Sequence, residues 1–230
     1  MTKATIPPMP PATGTASVQV EKEPKAGEPR AGRKARETRE RLVEGALQAL
    51  CDDGVVGTTT RSIALKAGVP LGTLHYHFGT KEALLLAVLD TLSARFAHTL
   101  RMGVTGARDL DECIKRALLT GWAHAEDNRA IQIVQYELTL YALRTEGAEW
   151  MAKRQYNDYV SAHEHVFSAH APNDIPATGE AIARLAQLVM AGIDGIIIQE
   201  LAWPDLARSR AAVRALIRSM QALSRDLGLQ

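Results

Sequence analysis

Apolar residues recur along this chain at helical spacing, and they begin late. From Met1 to about Arg33 there is almost no large apolar residue, only Pro, Ala, Thr, Gly and charge. That composition cannot bury enough surface to offset chain entropy, so residues 1–33 are predicted to form a disordered arm, basic at its end. Periodicity starts with Leu42, Ala46, Ala49 and Leu50, one side of a helix over about Arg36–Asp52 that Asp53-Gly54 ends. Thr58 or Thr59 caps the next helix, Thr59 being better placed, and Ile63, Ala64 and Ala67 form its inner face. Gly68 stops it, because glycine enters the left-handed conformation without a Cβ penalty. Pro70 opens a third helix with Leu74 and Phe78 turned inward. Thr80 caps a long fourth helix carrying Leu84, Leu85, Val88, Leu92 and Phe96 to about Met102. Five more helices are predicted over about 109–126, 129–144, 148–169, 179–203 and 206–227. The pattern is all-α, with about nine helices, a short-helix domain over 34–82 and a larger helical domain over 83–230.

The second and third helices read as a helix-turn-helix. Ala64 is small enough for two short helices to cross steeply, Gly68 makes the turn and Val69 packs it. The third helix then presents Leu71, Gly72, Thr73, His75, Tyr76 and His77, compact polar and aromatic groups suited to groove edges and phosphates. Thr60 and Arg61 occupy the first turn of the preceding helix, where such a fold meets a duplex. The Arg61 guanidinium can take guanine O6 and N7 together, or hold a phosphate. The competing reading is a tight pair of core helices.

From Arg39 to Asp90 the chain resembles the DNA-binding domain of the TetR family of bacterial transcriptional regulators. The matching stretch is GTTTRSIALKAGVPLGTLHYHFGTKEALLLAVL, Gly57–Leu89, and its most specific part is GTLHYHF-x-x-KEALL, Gly72–Leu85. The resemblance implies that Lys81 contacts phosphate. It also implies that the remaining helices form a ligand-binding and dimerisation domain. The expected function is a DNA-binding transcriptional regulator, most often a repressor, released from a palindromic double-stranded operator by a small organic effector. The alternative is a constitutive helix-turn-helix protein without ligand control.

Composition narrows this picture. A net charge of +1 does not announce a nucleic-acid binder, so the electrostatics must be local. Arg30, Arg33, Lys34, Arg36, Arg39 and Arg41 cluster before and within the first helix. They make either a solvated arm or one that lies along phosphates or in the minor groove. A 46% hydrophobic composition supports a substantial core, and only 5% aromatic residues fits a helical one. Cys51 and Cys113 lie far apart without metal-ligand spacing, as buried thiols of a reducing cytoplasm. No apolar run approaches membrane-spanning length, since Leu185–Ile198 is interrupted by Gln187 and Asp194, and no apolar signal core opens the chain. A cytoplasmic protein without a membrane partner is expected. There is no phosphate-cradling loop, Gly-x-Ser-x-Gly or His-Glu-x-x-His, so neither an enzyme nor a cofactor or metal is expected. His163, Glu164 and His165 diverge on a helix and would need a ligand from elsewhere.

Within the larger domain, the helix over 129–144 is apolar nearly all round through Ile131, Ile133, Val134, Leu138, Leu140 and Leu143, which predicts an enclosed helix. Gln135 and Tyr141 share its stripe, and the next helix carries Tyr156, Val160, His163, Phe167 and His170 on one face. Gly121 beside Trp122 costs about 1 kcal/mol in mid-helix unless space is wanted there. These polar and aromatic groups are either satisfied core residues or the lining of a cavity, and the family resemblance favours the cavity. Its candidate residues are Trp122, Gln135, Tyr136, Tyr141, Tyr156 and His163. The last two helices offer a smooth face, with Leu188, Ala191, Gly192, Gly195, Ile198 and Gln199 on one and Ala212, Leu216 and Met220 on the other. It is assigned to a homodimer interface, with packing inside one subunit as the alternative. Asp194, among isoleucines, either pairs with an arginine across that interface or points into the cavity.

Overall fold

A computed structural model describes residues 30–172 and 178–229; the greater part of the predicted arm, 1–29, lies outside them. Two compact units divide the chain, 1–37 and 38–230. In the first, the described residues are the opening turns of helix α1 (Arg30–Gly57), where Arg33 is ion-paired with Glu37 at 3.6 Å. Arg30 to Arg33 are thus helical rather than part of an irregular arm.

Helix α1 is longer than the periodicity predicts, but its regular geometry breaks at the expected place. Gly54 has φ 68° and ψ 173°, a left-handed conformation that interrupts the helix. Leu42, Val43, Ala46, Leu47, Ala49 and Leu50 bury the inner face. α2 (Thr60–Ala67) and α3 (Leu71–Phe78) form the helix-turn-helix. Thr59 caps α2 by accepting the Ser62 amide at 3.1 Å, and the Ser62 hydroxyl accepts the Thr59 amide at 3.0 Å, a reciprocal capping box. Gly68 is left-handed at φ 63° and ψ 38°. Ala64 is buried as expected, but the tightest approach comes from α1. A Cβ on Gly45 would stand 2.6 Å from the Ala67 nitrogen, so only glycine lets α1 lie on α2.

The remaining helices are α4 (Lys81–Val104), α5 (Leu110–Asp127), α6 (Arg129–Arg144), α7 (Glu149–Ser168), α8 (Thr178–Ala202) and α9 (Leu206–Asp226). Thr80, Asp109 and Asp205 cap α4, α5 and α9 through side-chain oxygens. Buried apolar residues form two clusters. The first joins α1–α3 and the N-terminal half of α4 to Val134, Leu138 and Ala142 of α6 and to Ala148, Met151 and Ala152 around the start of α7. The second holds the far end of α4 with α5, the end of α7, α8 and α9. Helices α4 and α7 therefore contribute to both, and the packing around the helix-turn-helix takes in more than residues 34–82.

Two expectations need correcting. Helix α6 is not enclosed, for Ile133, Leu140 and Leu143 are exposed and its buried side is Gln132, Val134, Leu138, Thr139 and Ala142. By length and composition, α4 and α8 are long and apolar enough to cross a membrane, although no such run was expected. Their apolar faces turn instead onto neighbouring helices, with Leu84, Leu85 and Val88 of α4 in the first cluster and Ile182, Leu185 and Val189 of α8 in the second.

Candidate DNA-binding surface and ligand cavity

Residues of the helix-turn-helix that were assigned to DNA divide by exposure. Arg61, Leu71, Gly72, His75 and Tyr76 are exposed, Tyr76 by 85% of its surface; Thr60, Thr73 and His77 are half-buried. The rings of Tyr76 and His77 pack edge to face, centroids 5.3 Å apart. Lys81 is more deeply engaged than a phosphate anchor needs to be. Its ammonium donates to the carbonyls of Val55 at 3.0 Å and Thr58 at 2.7 Å, tying the start of α4 to the bend between α1 and α2. An ammonium has three donors, so one is left for a phosphate.

The basic cluster is likewise partly spent inside the fold. Arg41 donates to the Ala67 and Gly68 carbonyls, both at 2.8 Å, neutralising the C-terminal end of α2. The Arg39 guanidinium lies 4.9 Å from the Phe78 ring centroid, a cation–π contact that braces α3.

In the larger domain, α4–α8 line a cavity of about 40 Å³, room for a few waters. Gln135, Tyr136, Tyr156 and His163 line it, as the sequence pattern proposed. Trp122 and Tyr141 do not. Trp122 is buried in the second cluster with its indole N–H unpaired, and Tyr141 packs against the first, its hydroxyl 3.3 Å from the Glu82 carboxylate. Helical periodicity put both on inward stripes, but each turns to a different neighbour. The polar and aromatic lining residues not assigned from sequence are Phe96, His124, Gln132, Gln155, Tyr159 and, left open there, Asp194; Ala117, Leu118, Met190, Ile193 and Ile197 supply the apolar wall. The signal for two of them was present: Gln155 and Tyr159 share the α7 stripe of Met151, Ala152 and His163, one position off the stripe chosen. Gly121 also lines the cavity, and a Cβ there would meet nothing within 4 Å, so the space that a mid-helix glycine implied exists.

Asp194 organises the polar side. Its Oδ1 accepts the Tyr136 hydroxyl at 2.6 Å and its Oδ2 the Tyr156 hydroxyl at 2.9 Å. Burial and the neighbouring carboxylate push both phenols upward, so they stay protonated donors. His163 is fully buried, and its Nδ1–H donates to the Tyr159 carbonyl at 2.8 Å. Desolvation lowers its pKa to about 4, so the imidazole is neutral at physiological pH and its Nε2 is an acceptor. Burial also lowers His124. The Tyr159 hydroxyl is buried beside Gln155 and Ser93 without a well-formed hydrogen bond.

Helix α6 links the two regions. Gln132, Gln135 and Tyr136 line the cavity, while the adjacent Glu137 accepts the Val55 amide at 2.9 Å, directly after the Gly54 bend.

On the face assigned to association, Leu188, Ala191, Ile198 and Gln199 are exposed, and nothing lies within 4 Å of a Cβ at Gly195. Gly192 belongs elsewhere. A Cβ on it would stand 2.6 Å from Leu216, so this glycine seats α9 on α8 within the same chain. Ala212, Leu216 and Met220 are half-buried, the last two against the second cluster.

A three-helix DNA-reading head, sharing helices with a bundle that encloses a polar-tipped cavity, defines a helical DNA-binding transcriptional regulator. Residues 42–88 match the bacterial regulatory proteins of the tetR family and residues 106–222 the tetracyclin repressor-like C-terminal domain, so the chain belongs to the TetR family. Members are non-enzymatic transcription factors that bind DNA operators and act as dimers. The chain is similar to the nicotine-responsive transcriptional repressor HdnoR of Paenarthrobacter nicotinovorans, 23% identical over 75% of this chain and 88% of that protein. It is also similar to the transcriptional regulator TtgR of Pseudomonas putida, 27% identical over 74% of this chain and 83% of that protein. A TetR-family regulator from Rhodococcus sp. shares the fold with a TM-score of 0.67, at 19% identity, over 82% of this chain and 98% of that one.

Proposed function

We propose that this protein is a cytoplasmic, homodimeric repressor that leaves a two-fold symmetric operator when a small organic molecule occupies the cavity bounded by α4–α8. The observation that supports it is the double duty of α6, with Tyr136 in the cavity and Glu137 on the Val55 amide. An organic ligand larger than this cavity displaces the helices that line it, α6 among them. That motion alters the bend at Gly54 on which α2 is hung, so ligand and operator favour different conformations. Thr60, Arg61, Leu71, Gly72, Thr73, His75, Tyr76, His77 and Lys81 form the DNA face in this reading. The exposed α8 residues around Gly195 form the subunit contact, and symmetric pairing sets two half-sites on the operator.

Filling the cavity tests the reading. Gly121→Leu places a side chain into it, whereas Gly121→Ala adds only a methyl group and gains about 1 kcal/mol of helix propensity. Both variants should bind operator, and only Gly121→Leu should lose its response to an effector found by metabolite screening. Full response in Gly121→Leu would remove the cavity from the mechanism.

A further inference from the structure

The polar groups of the cavity are not a random set. We propose that its ligand is an organic cation, an amine or ammonium with an apolar or aromatic body, whose charged nitrogen sits against Asp194; this rests on the cavity being the effector site.

Asp194 stands between Ile193 and the run Ile196–Ile198, a carboxylate in an otherwise apolar stretch of α8. Two tyrosine hydroxyls fix it, one on each oxygen, and a carboxylate has about four lone-pair positions, so one on each oxygen is left over. Among the described residues no arginine or lysine lines the cavity, and no ion pair reaches Asp194. Both lining histidines are held towards the neutral form by burial. The cavity therefore carries one uncompensated negative charge. A ligand cation beside that carboxylate would be attracted to it, and an anion would be repelled.

The other walls fit the same ligand. Phe96, Tyr136, Tyr156 and Tyr159 line the cavity with aromatic surface, which attracts cations through the ring quadrupole. His163 spends its one N–H on the Tyr159 carbonyl, leaving Nε2 to accept from a ligand donor. Asp194 and His163 thus offer acceptors that suit the donors and positive charge of an amine, while the Tyr159 hydroxyl and the Gln132, Gln135 and Gln155 amides line the same cavity beside them.

The test uses the full-length protein and three ligands of one shape: benzylamine, benzyl alcohol and benzoate. Calorimetric titration of wild type should rank the amine above the alcohol by about tenfold or more, with benzoate weakest. Asp194→Asn should lose about tenfold to a hundredfold in amine affinity and leave the alcohol unchanged. Tyr156→Phe keeps the carboxylate and should keep the preference for the amine; if Asp194→Asn fails to fold, the ranking in wild type and Tyr156→Phe decides. Equal binding of amine and alcohol, preference for benzoate, or unchanged amine affinity in Asp194→Asn overturns the proposal. So does dissociation of the Asp194→Asn dimer, which would mark the carboxylate as one half of an inter-subunit pair. If the alcohol or benzoate binds wild type but not Gly121→Leu while the amine does not bind, the cavity remains the effector site and only its charge preference falls. If none of the three binds at millimolar concentration, both readings fall.

Discussion

Removing the Glu137 carboxylate is the sharpest probe of how the cavity speaks to the DNA-binding helices. The Val55 amide that it accepts belongs to a residue only 2% exposed, and the bond is 2.9 Å long. Gly54 lets the carboxylate in, since a Cβ at that position would stand 3.1 Å from Oε2 even before its positive φ is counted. Glu137→Ala leaves the buried N–H without a partner, which costs about 1–3 kcal/mol, and Glu137→Gln keeps an oxygen acceptor and should cost about 1 kcal/mol or less. If the bond is made in the DNA-binding conformation and broken in the ligand-bound one, the same energy is part of the coupling. Glu137→Ala should then weaken operator binding without ligand and shrink the ligand's effect on affinity by roughly 5- to 150-fold. Fluorescence anisotropy on operator DNA, with and without effector, measures the coupling; urea unfolding measures the stability. A variant that loses the stability but keeps the full ligand effect would show that the bond is a brace with no part in signalling.

Arg61→Ala should cost about 1–3 kcal/mol on the preferred operator and relax base choice there, whereas equal losses on specific and random duplex would make Arg61 a phosphate anchor. Lys81→Ala should weaken binding on all sequences and, unlike Arg61→Ala, also lower the melting temperature, because the Val55 and Thr58 carbonyls lose their donor. Gly195→Leu should fold as a monomer, visible in gel filtration; Gly192→Leu should destabilise each subunit instead, by about 1–3 kcal/mol or more, since Leu216 occupies the space. His163 titrates near 6.5 when unfolded and near 4 when folded, so the unfolded chain binds the extra proton between those values. Stability from the neutral imidazole is present above about pH 6.5 and lost as pH falls to about 4, up to about 3 kcal/mol; His163→Phe should flatten that part of the pH–stability curve.

What was legible in the sequence is what depends on near neighbours in the chain. Thr59 and Thr80 cap where they were expected to, Gly68 is left-handed, and the break in α1 falls at Gly54. A cap or a turn is decided within four residues, and a buried stripe by spacing alone, so Ile63, Ala67, Leu74 and Phe78 could be read directly. Partner choice could not. Arg39, Arg41 and Lys81 looked alike as basic residues near a duplex, yet they go to a ring and to backbone carbonyls, because helix ends brought close in space offer acceptors that spacing does not reveal. Gly192 and Gly195 looked like one smooth face, but only the position of α9 separates them. The same holds for the cavity. Periodicity tells which side of a helix is inward, but α5, α6 and α7 each have more than one neighbour, and a rotation of one residue is about 100°. That angle is what took Trp122 and Tyr141 into the two cores and turned Gln155, Tyr159 and Asp194 onto the same small space.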